Sequence, residues 1–150
     1  MTTHSFARAM IATALFATGG SVLAAGNTTV QVTATISAVC QFKAATMAAI
    51  PLGTIDPSAV AAAVTGTSDI TYKCTTGTVP TVTIDSGGTT LTAGAKTIPY
   101  SFTLGSAAAG SGFSTAGSAK VVGTASIGLT DAQDAQAGSY SDTVTLSINY

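Results

Sequence analysis

The stretch "NTTVQVTATI", residues 27–36, alternates without a break. Val30, Val32, Ala34 and Ile36 are apolar; Thr29, Gln31, Thr33 and Thr35 are polar. The alternation continues through Ala38 and Cys40 to Phe42. A two-residue period puts every second side chain on one face of a strand, so the segment needs a partner that covers that face. Strands in globular domains usually run about 5–6 residues, and this run is more than twice as long.

Residues 1–24 read as a signal peptide. Arg8 lies in the n-region, an apolar Ala-rich h-region runs from about Ala9 to Ala17, and Val22 and Ala24 occupy the −3 and −1 positions of a small-residue cleavage site. Cleavage is expected after Ala24 or Ala25. A membrane anchor is the alternative, but the apolar core is interrupted by Gly19 and Gly20 and falls below the ~20 residues a span requires. No later stretch is long enough to cross a membrane, so release beyond the inner membrane is expected. The remainder has enough chain for one domain with its own core.

Charge is scarce. Beyond the signal, Lys43, Lys73, Lys96 and Lys120 face six aspartates, a net charge of −2. That balance offers no basic face for nucleic acid or anionic lipid. Beyond residue 24 there is no His, Glu, Arg or Trp, and the single histidine, His4, leaves with the signal. General acid–base chemistry near neutral pH leans on His or on a tuned Glu, so no enzyme is expected and no cofactor is called for.

Cys40 and Cys74 are the only cysteines. In an oxidising compartment they are expected to form one disulfide, worth roughly 3–4 kcal/mol by loop entropy. Two free buried thiols are the alternative. Two cysteines without histidine partners fall short of a zinc shell, so no metal site is expected.

The rest reads as short strands between Gly, Ser, Thr and Ala. "SDITYKC" places Ile70, Tyr72 and Cys74 on one face, and "TVTID" places Val82 and Ile84 together. "TIPYSFTL" aligns Ile98, Tyr100, Phe102 and Leu104. "KVVGTASIGL" is a weaker strand, and "YSDTVTLSINY" a strong one with Tyr140, Val144, Leu146, Ile148 and Tyr150 in register. This pattern predicts an antiparallel β-sandwich. "DPSAVAAAV" is expected to hold at most a helical turn capped by Asp56 or Ser58, and residues 105–120 a loop.

The two ends complement one another. The strand near Tyr150 is expected to lack a following strand that would cover the core and satisfy its edge, whereas the first strand is longer than one domain needs. A Cys40–Cys74 bridge would pin the chain from Cys40 onward, so the alternating run is expected to divide near Ser37–Ala38. Residues 25–37 then form an extension and residues 38–150 the domain. The extension either enters the vacant groove of another copy or folds back to complete its own sandwich.

Four stretches resemble an archaic chaperone–usher pilin of the spore coat protein U domain family. They are the alternating run ending in "ISAVC", "LGTIDP" at 52–57, "DITYKCTTGTVPTVTID", and "AGSYSDTVTLSINY" at 137–150. The last is the most specific, with Gly138, Tyr140 and Asp142 at alternate positions before a Thr/Val strand ending in an aromatic. The segment from Tyr100 to Lys120 is shorter and blander than the family pattern and lacks a tryptophan often found there, which leaves the strand boundaries between Tyr100 and Ile127 open.

The resemblance implies an incomplete, six-stranded immunoglobulin-like sandwich plus an N-terminal donor strand. Val30, Val32, Ala34 and Ile36 match the donor, and Val144, Leu146 and Ile148 the acceptor groove. Implied partners are other copies or sibling pilins, a periplasmic chaperone and an outer-membrane usher. The implied product is an extracellular fimbrium serving adhesion and biofilm formation. A self-complete secreted coat or binding domain is the competing function. Tyr140 reads as a corner hydrogen bond, Asp142 as a turn or strand-edge acceptor, and "DAQDAQAG" at 131–138 as a solvated loop rather than a calcium site or, through Asp131 and Asp134, a glycosidase pair.

Overall fold

Alternation of apolar with Thr, Ser and Lys side chains is realised as short antiparallel strands. The computed structural model describes residues 26–44, 49–114 and 116–150. The signal peptide read at 1–24 lies outside the described residues. The chain divides into two units, 1–34 and 35–150. In the first, residues 26–34 carry no strand and are exposed.

The described residues of the second unit hold eight strand segments: β1 (Cys40–Phe42), β2 (Val64–Cys74), β3 (Thr81–Ser86), β4 (Thr90–Ala93), β5 (Lys96–Pro99), β6 (Ser101–Leu104), β7 (Ala119–Ile127) and β8 (Thr145–Asn149). One short helix, α1 (Leu129–Gln133), stands between β7 and β8. One sheet has the order β1-β2-β7-β6, and β3-β8 and β4-β5 form two-stranded sheets. Backbone bonds between Thr92 and Ser141, N–H to carbonyl in both directions at 2.9 and 3.0 Å, tie the β4-β5 hairpin to the segment entering β8. The result is an all-β, sandwich-like fold.

The disulfide forms as expected. Cys40 and Cys74 stand directly opposite in the β1–β2 ladder and are bonded, with Cα atoms 4.1 Å apart. Around them lies the main core of Cys40, Ile70, Tyr72, Cys74, Ala119 and Val121, with Phe42, Val82, Phe102, Leu104, Leu146 and Ile148 packed on it and only partly buried. A second core of Leu91, Ile98, Ile127 and Ala132 packs with Leu52, Ile55, Val60, Val64, Tyr100 and Tyr140.

Three elements differ from the sequence reading. "TIPYSFTL" divides at Pro99–Tyr100, with β5 pairing β4 and β6 pairing β7. Tyr100 and Phe102 donate their amides to Thr89 and Gly88 at 2.9 and 3.0 Å as the chain changes sheets. "KVVGTASIGL" is central, with β7 flanked by both β2 and β6. It tolerates small residues because large neighbours fill the space: a Cβ on Gly123 would lie 3.0 Å from Ile70 Cδ1 and from Phe102 Cε2. Part of the region read as a solvated loop becomes α1, held by burial of Ala132 against the second core. The turn expected after Asp56 forms, and the Asp56 carboxylate accepts from the Ser58 amide at 3.0 Å and its hydroxyl at 2.7 Å.

Candidate strand-acceptor site

β8 alternates Leu146 and Ile148 with Thr145, Ser147 and Asn149. In the antiparallel β3–β8 ladder Leu146 stands opposite Ile84 and Ile148 opposite Val82. Leu146 and Ile148 pack on the main core yet stay only partly buried. Sheet order explains why: among the described residues β8 is hydrogen-bonded to β3 alone, leaving its other edge without a ladder partner. β1 is likewise an edge strand, paired among the described residues only with β2, and it contacts β8. Phe42 of β1 and Val82 of β3 join Leu146 and Ile148 as half-covered apolar side chains over this core.

An open strand edge beside incompletely covered apolar side chains can do two things chemically. Its N–H and C=O groups can bond an added strand, and its gaps can take alternate side chains of that strand. Val144 stands apart: it precedes β8, is half-buried, and belongs to neither core cluster.

The start of β8 is fixed by a polar clamp. The Asp142 carboxylate accepts from the Tyr100 hydroxyl at 2.7 Å, the Gly88 amide at 2.8 Å and the Thr143 amide at 2.8 Å. These donors, the Tyr100 hydroxyl foremost, hold the carboxyl below the usual carboxylate range, while burial and then Asp142 push the Tyr100 phenol well above its ordinary value. Gly88 has φ +84°, a backbone conformation that glycine adopts without strain, and its amide is thereby aimed at the carboxylate. Tyr140 donates its hydroxyl to the Gln136 carbonyl at 2.8 Å, the corner bond expected of it.

Sequence reading singled out Leu146 and Ile148, which the fold brings together over the core, but missed Phe42 and Val82. Their alternation marked them as inward-facing; no local signal showed that they stay only partly covered over the main core. The matched donor side chains Val30, Val32 and Ile36 are 82%, 89% and 82% exposed, and Ala34 is exposed as well.

The Spore Coat Protein U domain model matches residues 26–147, from the alternating segment into β8. The chain belongs to the Spore Coat Protein U domain family. Its family places it among chaperone–usher fimbrial-type proteins, a structural class of pilin and coat domains. No curated protein and no solved structure matched the chain. Within this spore coat U domain no helix among the described residues is long and apolar enough to cross a membrane.

Proposed function

We propose that this spore coat U domain is the structural subunit of an extracellular fimbrium and polymerises by strand donation. The extension at residues 25–37 of one copy reaches the groove beside β8 of the next, with residues 29–36 seated in it. A periplasmic chaperone fills that groove before an outer-membrane usher exchanges it for the donor, and the finished fibre serves attachment and biofilm formation. The signal-peptide reading supports the route through the periplasm. The protein is not an enzyme in this reading.

The observation that carries the proposal is that, among the described residues, β8 pairs with β3 alone while Leu146 and Ile148 stay half-covered over the core. Exposure of Val30, Val32 and Ile36 supports it from the donor side. Burying each of these three contributes roughly 1.5–3 kcal/mol, and each backbone bond to the open edge about 0.5–1.5 kcal/mol. Several such terms hold subunits together durably.

One rearrangement of the chain tests this reading. Residues 25–36 are removed from the front and attached behind Tyr150 through a short flexible linker. The expected product is a stable monomer that no longer polymerises, because its groove is filled in cis. If the unrearranged protein is already a stable monomer without any chaperone, the strand-donation reading fails and a self-complete secreted domain replaces it.

A further inference from the structure

Thr75, immediately after the second cysteine, holds the chain that leads to the alternating segment. Its hydroxyl donates to the Ser37 carbonyl at 3.1 Å and accepts from the Val39 amide at 3.0 Å, and its own amide donates to the Val39 carbonyl at 2.9 Å. Cys40 follows and is bonded to Cys74. The chain is therefore pinned to the domain from Ser37 onward. Ile36 is one Cα–Cα step, about 3.8 Å, from that anchor.

The same end of the sandwich displays apolar surface. Val79, in the β2–β3 turn, is 61% exposed. Tyr150 follows Asn149, which pairs with Thr81 at the start of β3, and is also 61% exposed. Val39, beside Thr75, is 40% exposed. The turn is braced: Thr78 donates to Thr75 at 3.0 Å, Gly77 to Gly110 at 2.9 Å, and Gly110 back to Thr78 at 2.8 Å. Val79 is thus carried on a loop with its own backbone bonds.

We infer that this end of the domain, presenting Val39, Val79 and Tyr150, is a second contact surface between successive copies, packed against the body of the copy that receives the strand. The inference rests on the strand-donation reading above and adds a surface outside the groove. A second copy is the occupant because the connection has no slack. With Ile36 seated in a neighbour's groove and Ser37 held by Thr75, one residue step joins two bodies whose radii of gyration are each about 13 Å. Bodies of that size cannot stay apart over that distance, so the neighbour meets this end of the domain. The contact is continuous with the groove interface, and it fixes the angle between subunits.

Cysteine accessibility in polymers of the full chain tests the surface. Single substitutions are placed at Val79 (Val79→Cys), at Thr76 in the same turn (Thr76→Cys) and, for reference, at Ala95 in the β4–β5 turn (Ala95→Cys); all three positions are exposed in the single chain. Polymers are labelled with a maleimide reagent. The expected result is labelling of Val79→Cys and Thr76→Cys at least about tenfold slower than Ala95→Cys, as in a packed interface core. Equal rates at all three positions, in polymers that still run as a heat-sensitive ladder, overturn the contact surface and leave strand donation standing. If the unsubstituted protein gives no such ladder, strand donation fails and takes this surface with it.

Discussion

The Tyr100 hydroxyl donates to the Asp142 carboxylate at 2.7 Å across 42 positions of sequence. It links the point where the chain leaves β5 for β6 to the point where it enters β8, and the Gly88 amide adds the β3–β4 turn to the same carboxylate. Three connections of the fold thus meet at one side chain. Removing the hydroxyl by Tyr100→Phe should cost about 1 kcal/mol, the net worth of one hydrogen bond, and lower the melting temperature by a few degrees. Differential scanning calorimetry of the self-complemented monomer measures it.

The same pair makes stability depend on pH at both ends of the scale. Asp142 has its folded-state pKa lowered from 3.8, so its contribution is complete above that value and is lost as pH falls through the folded pKa. Tyr100 has its folded-state pKa raised from 10.0, so its contribution is complete below that value and is lost as pH climbs toward the folded pKa. Melting temperature plotted against pH should therefore be flat between the two and fall at both ends. Asp142→Asn should flatten the fall on each side; unchanged slopes would show that the clamp does not govern them.

The disulfide joins residues 34 apart and ties β1, the edge strand next to the donor segment, to β2. Reduction, or the double change Cys40→Ser with Cys74→Ser, should lower stability by roughly 3–4 kcal/mol on the loop-entropy estimate. Chemical denaturation with and without reductant is the measurement, and coincident midpoints would contradict the expectation.

Gly110 lies against the bridge. A Cβ at this position would stand 2.7 Å from the Cys74 carbonyl oxygen and closer still to Cys74 Cβ, whereas one on Gly105 would meet nothing nearer than the Val122 carbonyl oxygen at 3.6 Å. Gly110→Ala should destabilise by about 1–3 kcal/mol, the usual cost of overpacking, and Gly105→Ala by much less. Equal melting temperatures for the two variants would sink the prediction.

Donor and groove substitutions should separate assembly from folding. Val32→Ala and Ile36→Ala remove exposed side chains, so the self-complemented fold aside, the subunit's own core is untouched while the polymer weakens. Leu146→Ala removes a side chain that packs on the main core and should weaken both. Unheated gel ladders at rising temperature report the first effect, and thermal melting of the subunit the second. Donor variants whose ladders persist to the same temperature as the parent would argue against those side chains as anchors.

How far the fold was legible follows from the range of each interaction. Period-two alternation set the inward face of "SDITYKC" because side-chain direction in a strand is local, whereas in "TVTID" only Val82 packs on the core and Ile84 is exposed. The Tyr140 bond reaches only four residues back, to Gln136, and was legible for the same reason. The division of "TIPYSFTL" was not, since its alternation runs through Pro99 unbroken and only the competing partners β4 and β7 divide it. The central place of β7 was obscured by Gly123 and its small neighbours, whose reason is the bulk of Phe102 and Ile70 packed over that glycine.

By itself the sequence determined a β-rich, sparsely charged chain with one pair of cysteines, an apolar alternation at each end, and the family to which those ends belong. Tertiary structure alone decided that among the described residues β8 finds a partner on one side only, that Phe42 and Val82 border the same half-covered core as Leu146 and Ile148, and that Asp142 closes a clamp with Tyr100 and Gly88. The physical reason is that facing and period are written in neighbouring residues, whereas an unpaired edge is a property of which distant segments reach one another in space.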